Sequence, residues 1–248
     1  MKSVIIAALA LAAFSAGAAA AEIKIMSAGA VEPGLARAVE AFKKTSGTEV
    51  KVQYNTAPQL AKKLADGETA DVLVAPPGLL DEQVKAGKLS ADGRVVLGRV
   101  GAGVVVRANA TAPDISTTDA LKRAVLAADA VVYNQASSGQ YIAKMLQNIG
   151  IADEIKAKVK LYPDAAAVVE HIAKGQGNEI GFSPVPEIKM SESKGVKLVG
   201  PLPADIQNYT TYGAAQFADA ASKDAAKAFL AFLATPEAKK TLASAGVE

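Results

Sequence analysis

The sequence contains no cysteine and no tryptophan, and only one of its 248 residues is a histidine. The missing cysteine excludes disulfides, thiol catalysis and lipid attachment, and the scarcity of histidine excludes the usual histidine and cysteine zinc sites. Aromatic residues make up only 5% of the chain, which argues against a sugar receptor that stacks its ligand on aromatic faces. The 27 basic and 25 acidic residues leave a net charge of +2, so we expect no nucleic-acid partner. No cofactor and no metal site are predicted.

Half of the residues are hydrophobic, which excludes disorder as the main state and provides for a sizeable core. Near the N-terminus, Lys2 precedes an apolar run at 4–14, and small residues follow at 19–21. This order is typical of a secretory signal peptide, here residues 1–21, cleaved before Glu22. A membrane anchor is the alternative, but the apolar run is shorter than the roughly 20 residues that span a bilayer. We therefore expect a monomeric periplasmic protein without a membrane span after cleavage.

Short β-rich runs alternate with helical patterns through the rest of the chain, which is typical of βαβ units with parallel strands. Strands are predicted at 22–26, 48–54, 71–75, 94–106, 130–133, 159–162, 179–183 and 196–199. Helices are predicted from Pro33 to just before Gly47 and at 58–65, 79–86, 117–127, 139–149, 165–173, 221–233 and 236–245. Eight strands and eight helices are more than one compact lobe of this type contains. The predicted fold class is therefore α/β, with two α/β lobes and a ligand cleft between them.

Three turns that join a predicted strand to a predicted helix carry small or hydroxyl residues, at 27–34, 55–58 and 134–139. Backbone N–H groups and the positive end of the helix dipole bind anions at such turns. Plain helix capping is the alternative, because Ser, Thr and Asn are also the usual cap residues. Three such turns in a secreted, two-lobed chain favour an anion site. The candidate ligand-binding residues in these turns are Ser27, Gly29, Ala30, Asn55, Thr56, Ser137, Ser138 and Gly139.

Several longer segments carry a resemblance to a known family. They include Ile-Met-Ser-Ala-Gly-Ala-Val at 25–31, Gln-Leu-Ala-Lys-Lys-Leu-Ala-Asp-Gly at 59–67, Ala-Asp-Val-Leu-Val-Ala at 70–75, Gly-Gln-Tyr-Ile-Ala-Lys at 139–144 and Glu-Ile-Gly-Phe at 179–182. Together these segments resemble the periplasmic molybdate-binding proteins. The resemblance implies the type II periplasmic binding protein fold, with chain crossings near 103–107 and 208–213. It also implies a first lobe made of 22–105 and 209–248, and a second lobe made of 106–208.

The chain departs from the molybdate-binding pattern where that pattern implies ligand hydroxyls. Ala30 stands at one of these serine positions, Thr56 and Ala57 surround the second, and 183–186 replace an expected tyrosine. These departures favour an organic polycarboxylate as the ligand.

A ligand of that size could also reach a further group of polar side chains: Gln59, Arg107, Tyr141, Ser183 and a tyrosine of 208–212. Arg107 is attractive because a guanidinium binds a carboxylate through two hydrogen bonds. The alternative for Arg107 is a surface position at a strand end, and for the tyrosine it is packing at the hinge.

Two functions fit these features. The first is a transport receptor that captures a small anion by lobe closure and delivers it to an ABC permease. The second is a cofactor-free isomerase, because a branch of the family resembles periplasmic aconitate isomerase; Glu32 and Tyr141 would then be the catalytic candidates. His171 falls inside a predicted helix, and we interpret it as a residue packed away from the cleft. A structural or adhesive role is disfavoured because nothing in the sequence repeats.

Overall fold

The computed structural model describes residues 22–248, and the predicted signal peptide at 1–21 lies outside the described residues. Within this range the strands are β1 (Glu22–Ala28), β2 (Glu49–Asn55), β3 (Val72–Ala75), β4 (Val95–Arg107), β5 (Ala130–Asn134), β6 (Val159–Tyr162), β7 (Glu179–Pro184), β8 (Val196–Pro201) and β9 (Tyr209–Gln216). The helices are α1 (Glu32–Ser46), α2 (Ala57–Ala65), α3 (Pro77–Lys85), α4 (Thr118–Ala127), α5 (Ser137–Asn148), α6 (Ala152–Ile155), α7 (Ala165–Lys174), α8 (Val185–Met190), α9 (Lys223–Leu233) and α10 (Pro236–Ser244).

The first sheet has the order β2-β1-β3-β9-β4. Strands β1, β2 and β3 are parallel because α1 and α2 carry the chain back between them, whereas β9 pairs antiparallel with both β3 and β4. Every residue of β3 is buried, as expected for a central strand under covering helices. Phe42 of α1 meets Phe229 of α9 edge to face, with 5.1 Å between ring centroids. These contacts form the core of the first lobe.

The second sheet is built around β5, which pairs in parallel with β6 and β7. The second half of β4 pairs antiparallel with β7 on one side and β8 on the other. One face of this sheet packs on a core that includes Leu121, Ile142 and Phe182. The other face packs on α7 through Val168 and Ile172. The chain therefore has two α/β lobes, each with its own sheet and core.

Strand β4 belongs to both sheets. It pairs with β9 as far as Gly101 and with β7 from Ala102 onward, directly before the stretch 103–107 where a crossing was expected. The chain returns through 202–208, where the Gln207 side chain accepts from the Ala102 N–H at 3.0 Å and donates to the Ala102 carbonyl at 2.9 Å. The lobe boundaries after 105 and 208 stay predictions.

The elements predicted by periodicity agree with the structure to within about two residues at each end. Strand β9 was missed, because its second half, Gly-Ala-Ala-Gln, has little strand preference of its own; the crossing expected near 208–213 overlaps its first residues and stays a prediction. The strand is extended because β3 and β4 supply hydrogen bonds on both sides. Helix α8 was missed because it is short and rich in proline; Pro186 is tolerated in its first turn, where no intrahelical N–H bond is lost. None of the helices within 22–248 is long and apolar enough to cross a membrane.

Candidate anion-binding cleft

A cleft of about 750 Å³, measured with its open mouth, lies between the two sheets. Its walls come from the carboxyl ends of β1 and β2 in one lobe, from those of β5, β6 and β7 in the other, and from β9. Ligands of open α/β sheets bind at this edge, because the loops that leave the strands diverge there. The cleft brings together many of the predicted residues, namely Gly29, Ala30, Glu32, Asn55, Thr56, Gln59, Ser137 and Ser138.

Thr56 starts α2 at the edge of the cleft. Its Oγ1 accepts from the Gln59 N–H at 3.4 Å, and the Gln59 Oε1 accepts from the Thr56 N–H at 2.9 Å. This reciprocal pair is a capping box. The Ala57 N–H has no intrahelical partner by helix geometry, and Ala57 lines the cleft. The residues of the capping box therefore also line the cleft, and the Ala57 N–H at the start of α2 is available to a ligand there.

Asn134 performs the same task at the start of α5. Its side chain is 1% exposed, and its Oδ1 accepts from the backbone N–H groups of Ala136 at 2.9 Å and Gly139 at 3.2 Å. Its Nδ2 donates to the Ser138 Oγ at 3.1 Å. Gly139 is required because a Cβ there would lie 1.6 Å from the Asn134 carbonyl oxygen. One buried amide thus fixes the position at which Ser137 and Ser138 face the cleft.

Two further helices begin at the cleft. The Asp164 Oδ1 accepts from the Ala167 N–H at 2.9 Å and caps α7, whose first residues line the second lobe's wall. On the opposite wall, a 3₁₀ turn at Gly29–Val31 leads into α1. Helices α1, α2, α5 and α7 therefore direct their positive ends at one space. Among the described residues that line the cleft there is no lysine and no arginine, so these dipoles and N–H groups are the features of the lining that favour an anion.

Two glutamates face the same space. Glu187 lies on α8 and is 6% exposed, and burial followed by the negative charge of Glu32 raises its pKa to about 7. Burial also raises the pKa of Glu32, and Lys194 acts in the opposite direction on both carboxyls. Because desolvation disfavours the ionised form, a substantial fraction of Glu187 carries a proton near neutral pH. The cleft thus contains a group able to give or take a proton.

Tyr54 and Tyr212 add phenol groups to the lining. Burial raises the pKa of both hydroxyls, that of Tyr212 to about 12, and the charge of Glu32 raises the pKa of Tyr54 further. Both therefore remain neutral phenols in the physiological range and can donate to a ligand oxygen. Tyr212 lies in the segment whose tyrosines were predicted either to face the cleft or to pack at the hinge; it lines the cleft and packs on the core of the first lobe.

A smaller recess, about 300 Å³ when open solvent is included, adjoins the cleft and shares Ala30, Ser138, Pro184 and Tyr212 with it. Tyr141 lines this recess and not the main cleft. Its hydroxyl donates to the Ile206 carbonyl at 2.6 Å, and burial raises its pKa. This bond joins α5 to the segment that returns to the first lobe.

Four predicted residues, Ser27, Gly139, Ser183 and Arg107, lie outside the cleft lining, which corrects their predicted placement. Ser27 is fully buried and donates to the Ala28 carbonyl, because alternation along β1 turns its side chain away from the ligand space. Gly139 is covered by the end of β5. Ser183 is buried, and its Oγ has no partner within 22–248. The Arg107 guanidinium lies at the far end of β4, where it donates to the Gly175 and Gly177 carbonyls and to the Asn109 side chain.

His171 lies outside the cleft, as predicted, 2.7 Å from the Tyr162 hydroxyl and 3.2 Å from a Glu179 carboxylate oxygen. Nowhere within 22–248 do three or more acidic and histidine side chains come together in a way that could hold a metal ion.

Sequence reasoning overlooked several cleft residues, above all Glu187, Asp164 and Tyr54. Asp164 precedes a predicted helix, and that capping position is a signal that could have identified it. For Glu187 the signal was the order Pro186-Glu187 directly after a strand, which is typical of a first helical turn.

Comparison with known proteins finds families with the same two-lobed arrangement. Residues 23–248 match the model of the family described as bacterial extracellular solute-binding protein. The chain belongs to this family. An aconitate isomerase from a Pseudomonas species is 30% identical over 234 residues, which cover 91% of this solute-binding chain and 87% of that protein.

Solved structures of the same fold are less similar in sequence to this chain than the aconitate isomerase is. The periplasmic molybdate-binding protein of Azotobacter vinelandii superposes with a TM-score of 0.76 at 16% identity, covering 91% of this chain and 98% of that one. The sulfate-binding protein SubI of Mycobacterium tuberculosis H37Rv superposes with a TM-score of 0.70 at 21% identity, covering 91% and 86%. The tungstate-binding protein TupA of Desulfovibrio alaskensis G20 superposes with a TM-score of 0.63 at 18% identity, covering 90% and 93%. The two-lobed periplasmic binding protein fold is confirmed.

Proposed function

We propose that this protein is a periplasmic receptor that captures a small organic polycarboxylate in the interlobe cleft and delivers it to an ABC permease. The observation that carries the proposal is the convergence of four helix N-termini, from both lobes, on one cleft. An anion bound there interacts with both lobes at once. Binding therefore favours the closed arrangement, since a ligand shifts an equilibrium by its differential affinity for the two states.

The lining favours a carboxylate over a tetrahedral metal oxyanion. Ala30 presents a methyl group to the cleft, where the resemblance to the molybdate-binding proteins implies a serine hydroxyl. The adjoining recess extends the space toward Tyr141. A polycarboxylate can distribute its charged groups between the helix N-termini, whereas a compact dianion concentrates its charge in one place.

Thermal unfolding with separate additions of trans-aconitate, cis-aconitate, citrate, sulfate and molybdate tests this proposal. A ligand of the folded state raises the melting temperature by mass action, and we expect the largest shift with a tricarboxylate. Thr56→Ala and Ser138→Ala should each weaken binding by about 1–3 kcal/mol if the hydroxyls contact the ligand. Ser193→Ala is the matched control because Ser193 is exposed and outside the cleft. No shift with any of these anions would refute anion capture.

A second candidate function is isomerisation of a tricarboxylate, which the 30% identity to an aconitate isomerase and the position of Glu187 favour. A base would take a proton from the carbon next to one carboxylate, and an acid would return a proton at the other end of the allylic system. Helix N-termini would stabilise the negative charge that forms between these steps. Proton NMR of cis- and trans-aconitate incubated with the protein distinguishes the two functions: interconversion supports the isomerase, and binding without conversion supports the receptor.

A further inference from the structure

Glu187 has two properties that a purely structural carboxyl does not combine. Only 6% of the Glu187 surface is exposed to solvent, yet the residue lines the cleft. Within 22–248, no hydrogen bond or ion pair satisfies its carboxyl, and its environment acts on it through burial and distant charge alone. Its oxygens are not among the fully buried polar atoms that lack a partner within 22–248, so the carboxyl stays open to the cleft. A ligand in the cleft can therefore supply the hydrogen-bond partner that the chain does not supply.

The charges around Glu187 determine which partner it accepts. Glu32 at the start of α1 and Asp164 at the start of α7 are both negative, and Lys194 in the turn after α8 is the positive group that acts on it. Lys194 is exposed, so solvent screens its charge. An ionised Glu187 would thus meet negative charge from two sides and from the bound anion as well. Removal of one negative charge relieves this repulsion, and a proton does so with the smallest change in structure.

We infer that the cleft binds its anion together with one proton, held in a hydrogen bond between the Glu187 carboxyl and an oxygen of the ligand. This inference rests on the proposed anion capture and adds to it the residue that carries the proton. The proton comes from solvent, and no covalent bond to carbon or oxygen of the ligand is formed or broken. Burial and the charge of Glu32 already raise the pKa of the free carboxyl to about 7, so little further perturbation is needed to keep the proton in the complex.

Calorimetric titration of the full chain, with trans-aconitate and separately with sulfate, tests the inference. The titrations are run at about pH 6 and about pH 8, in two buffers that differ in ionisation enthalpy. We expect uptake of up to about one proton per bound anion at pH 8. The affinity should be about tenfold weaker at pH 8 than at pH 6, because the protonated fraction of the free carboxyl changes by about that factor.

Glu187→Gln assigns the effect to this residue. The glutamine amide can donate to the ligand oxygen at any pH, so the variant should bind without proton uptake. We also expect it to bind about tenfold tighter than the unchanged protein at pH 8. Glu154→Gln is the matched control, because Glu154 is exposed on α6 and outside the cleft, and it should keep the original pH dependence.

The possible results separate the two proposals. If neither anion binds at either pH, anion capture itself fails. If an anion binds without proton uptake, or if Glu187→Gln keeps the original pH dependence, the proton-linked role of Glu187 is overturned while anion capture stands. Should the variant fail to fold, carbon-13 NMR of the labelled unchanged protein replaces it. The Glu187 carboxyl carbon in the complex should then keep the chemical shift of a protonated acid up to about pH 8, and the shift of an ionised carboxylate would refute the inference.

Discussion

Replacement of Asn134 by alanine tests whether one buried amide aligns α5 with the cleft. The Asn134 side chain accepts from two backbone N–H groups, those of Ala136 and Gly139, and donates to Ser138. Each such bond contributes about 1 kcal/mol net, and a buried N–H left without an acceptor costs about 1–3 kcal/mol. The Gly139 N–H is buried against the end of β5. We therefore expect Asn134→Ala to lower the free energy of unfolding by about 2–4 kcal/mol.

The same change should weaken anion binding, because Ser137 and Ser138 lose the support that holds them toward the cleft. Urea denaturation measures the stability, and calorimetry with trans-aconitate measures the affinity. Gln135→Ala is the control, since Gln135 is exposed next to Asn134, and a surface change of this kind stays within about 0.5 kcal/mol. Asn134→Asp keeps both acceptor bonds but adds a negative charge, so affinity should fall with little loss of stability. A stability loss below about 1 kcal/mol for Asn134→Ala would refute this account of α5.

Three further predictions concern the α2 cap, the hinge and the buried acid. Thr56→Ala should lower the free energy of unfolding by about 1 kcal/mol, as measured by urea denaturation, because it removes the α2 capping box; unchanged stability would contradict the cap. Gln207→Ala removes two hydrogen bonds to Ala102 and should cost about 1–2 kcal/mol; it should also broaden the distribution of lobe arrangements in small-angle scattering, and an unchanged profile would count against a hinge role. Glu187 has a folded-state pKa of about 7 against an ordinary 4.5, so the stability it contributes is present below about pH 4.5 and is lost as the pH rises through 7. Glu187→Gln should therefore raise the melting temperature relative to the unchanged protein above pH 7, with a smaller gain near pH 5, and an equal effect at both pH values would show that Glu187 does not titrate in this range.

The turns that line the cleft could be predicted because they depend on local chemistry. A strand followed by small or hydroxyl residues and then a helix leaves N–H groups exposed wherever the chain folds, and the residues at 29–30, 55–56 and 137–138 all line the cleft. The sequence pattern did not decide which way each side chain points. Ser27 and Arg107 illustrate this, because one faces the interior of its lobe and the other bonds to a distant loop.

The cleft residues that were missed depend on contacts between distant segments. Glu187 lies on a short helix whose proline-rich sequence shows little periodicity, and the shift in its pKa arises from burial and from Glu32, more than 150 residues earlier in the sequence. Strand β9 is another example, since its two neighbours hold it in the sheet despite its weak strand preference.

The sequence by itself determined the class of this protein. The absence of cysteine and the balance of charge excluded whole groups of functions, and the alternation of strand and helix patterns determined an α/β chain whose strand-to-helix turns carry small and hydroxyl residues, because periodicity and capping are local properties. Only the tertiary structure decided where β4 passes from one sheet to the other, which four helix ends meet, and that Glu187 lies among them without a partner in 22–248. The physical reason is that burial and charge interactions depend on distances between segments that are far apart in the chain.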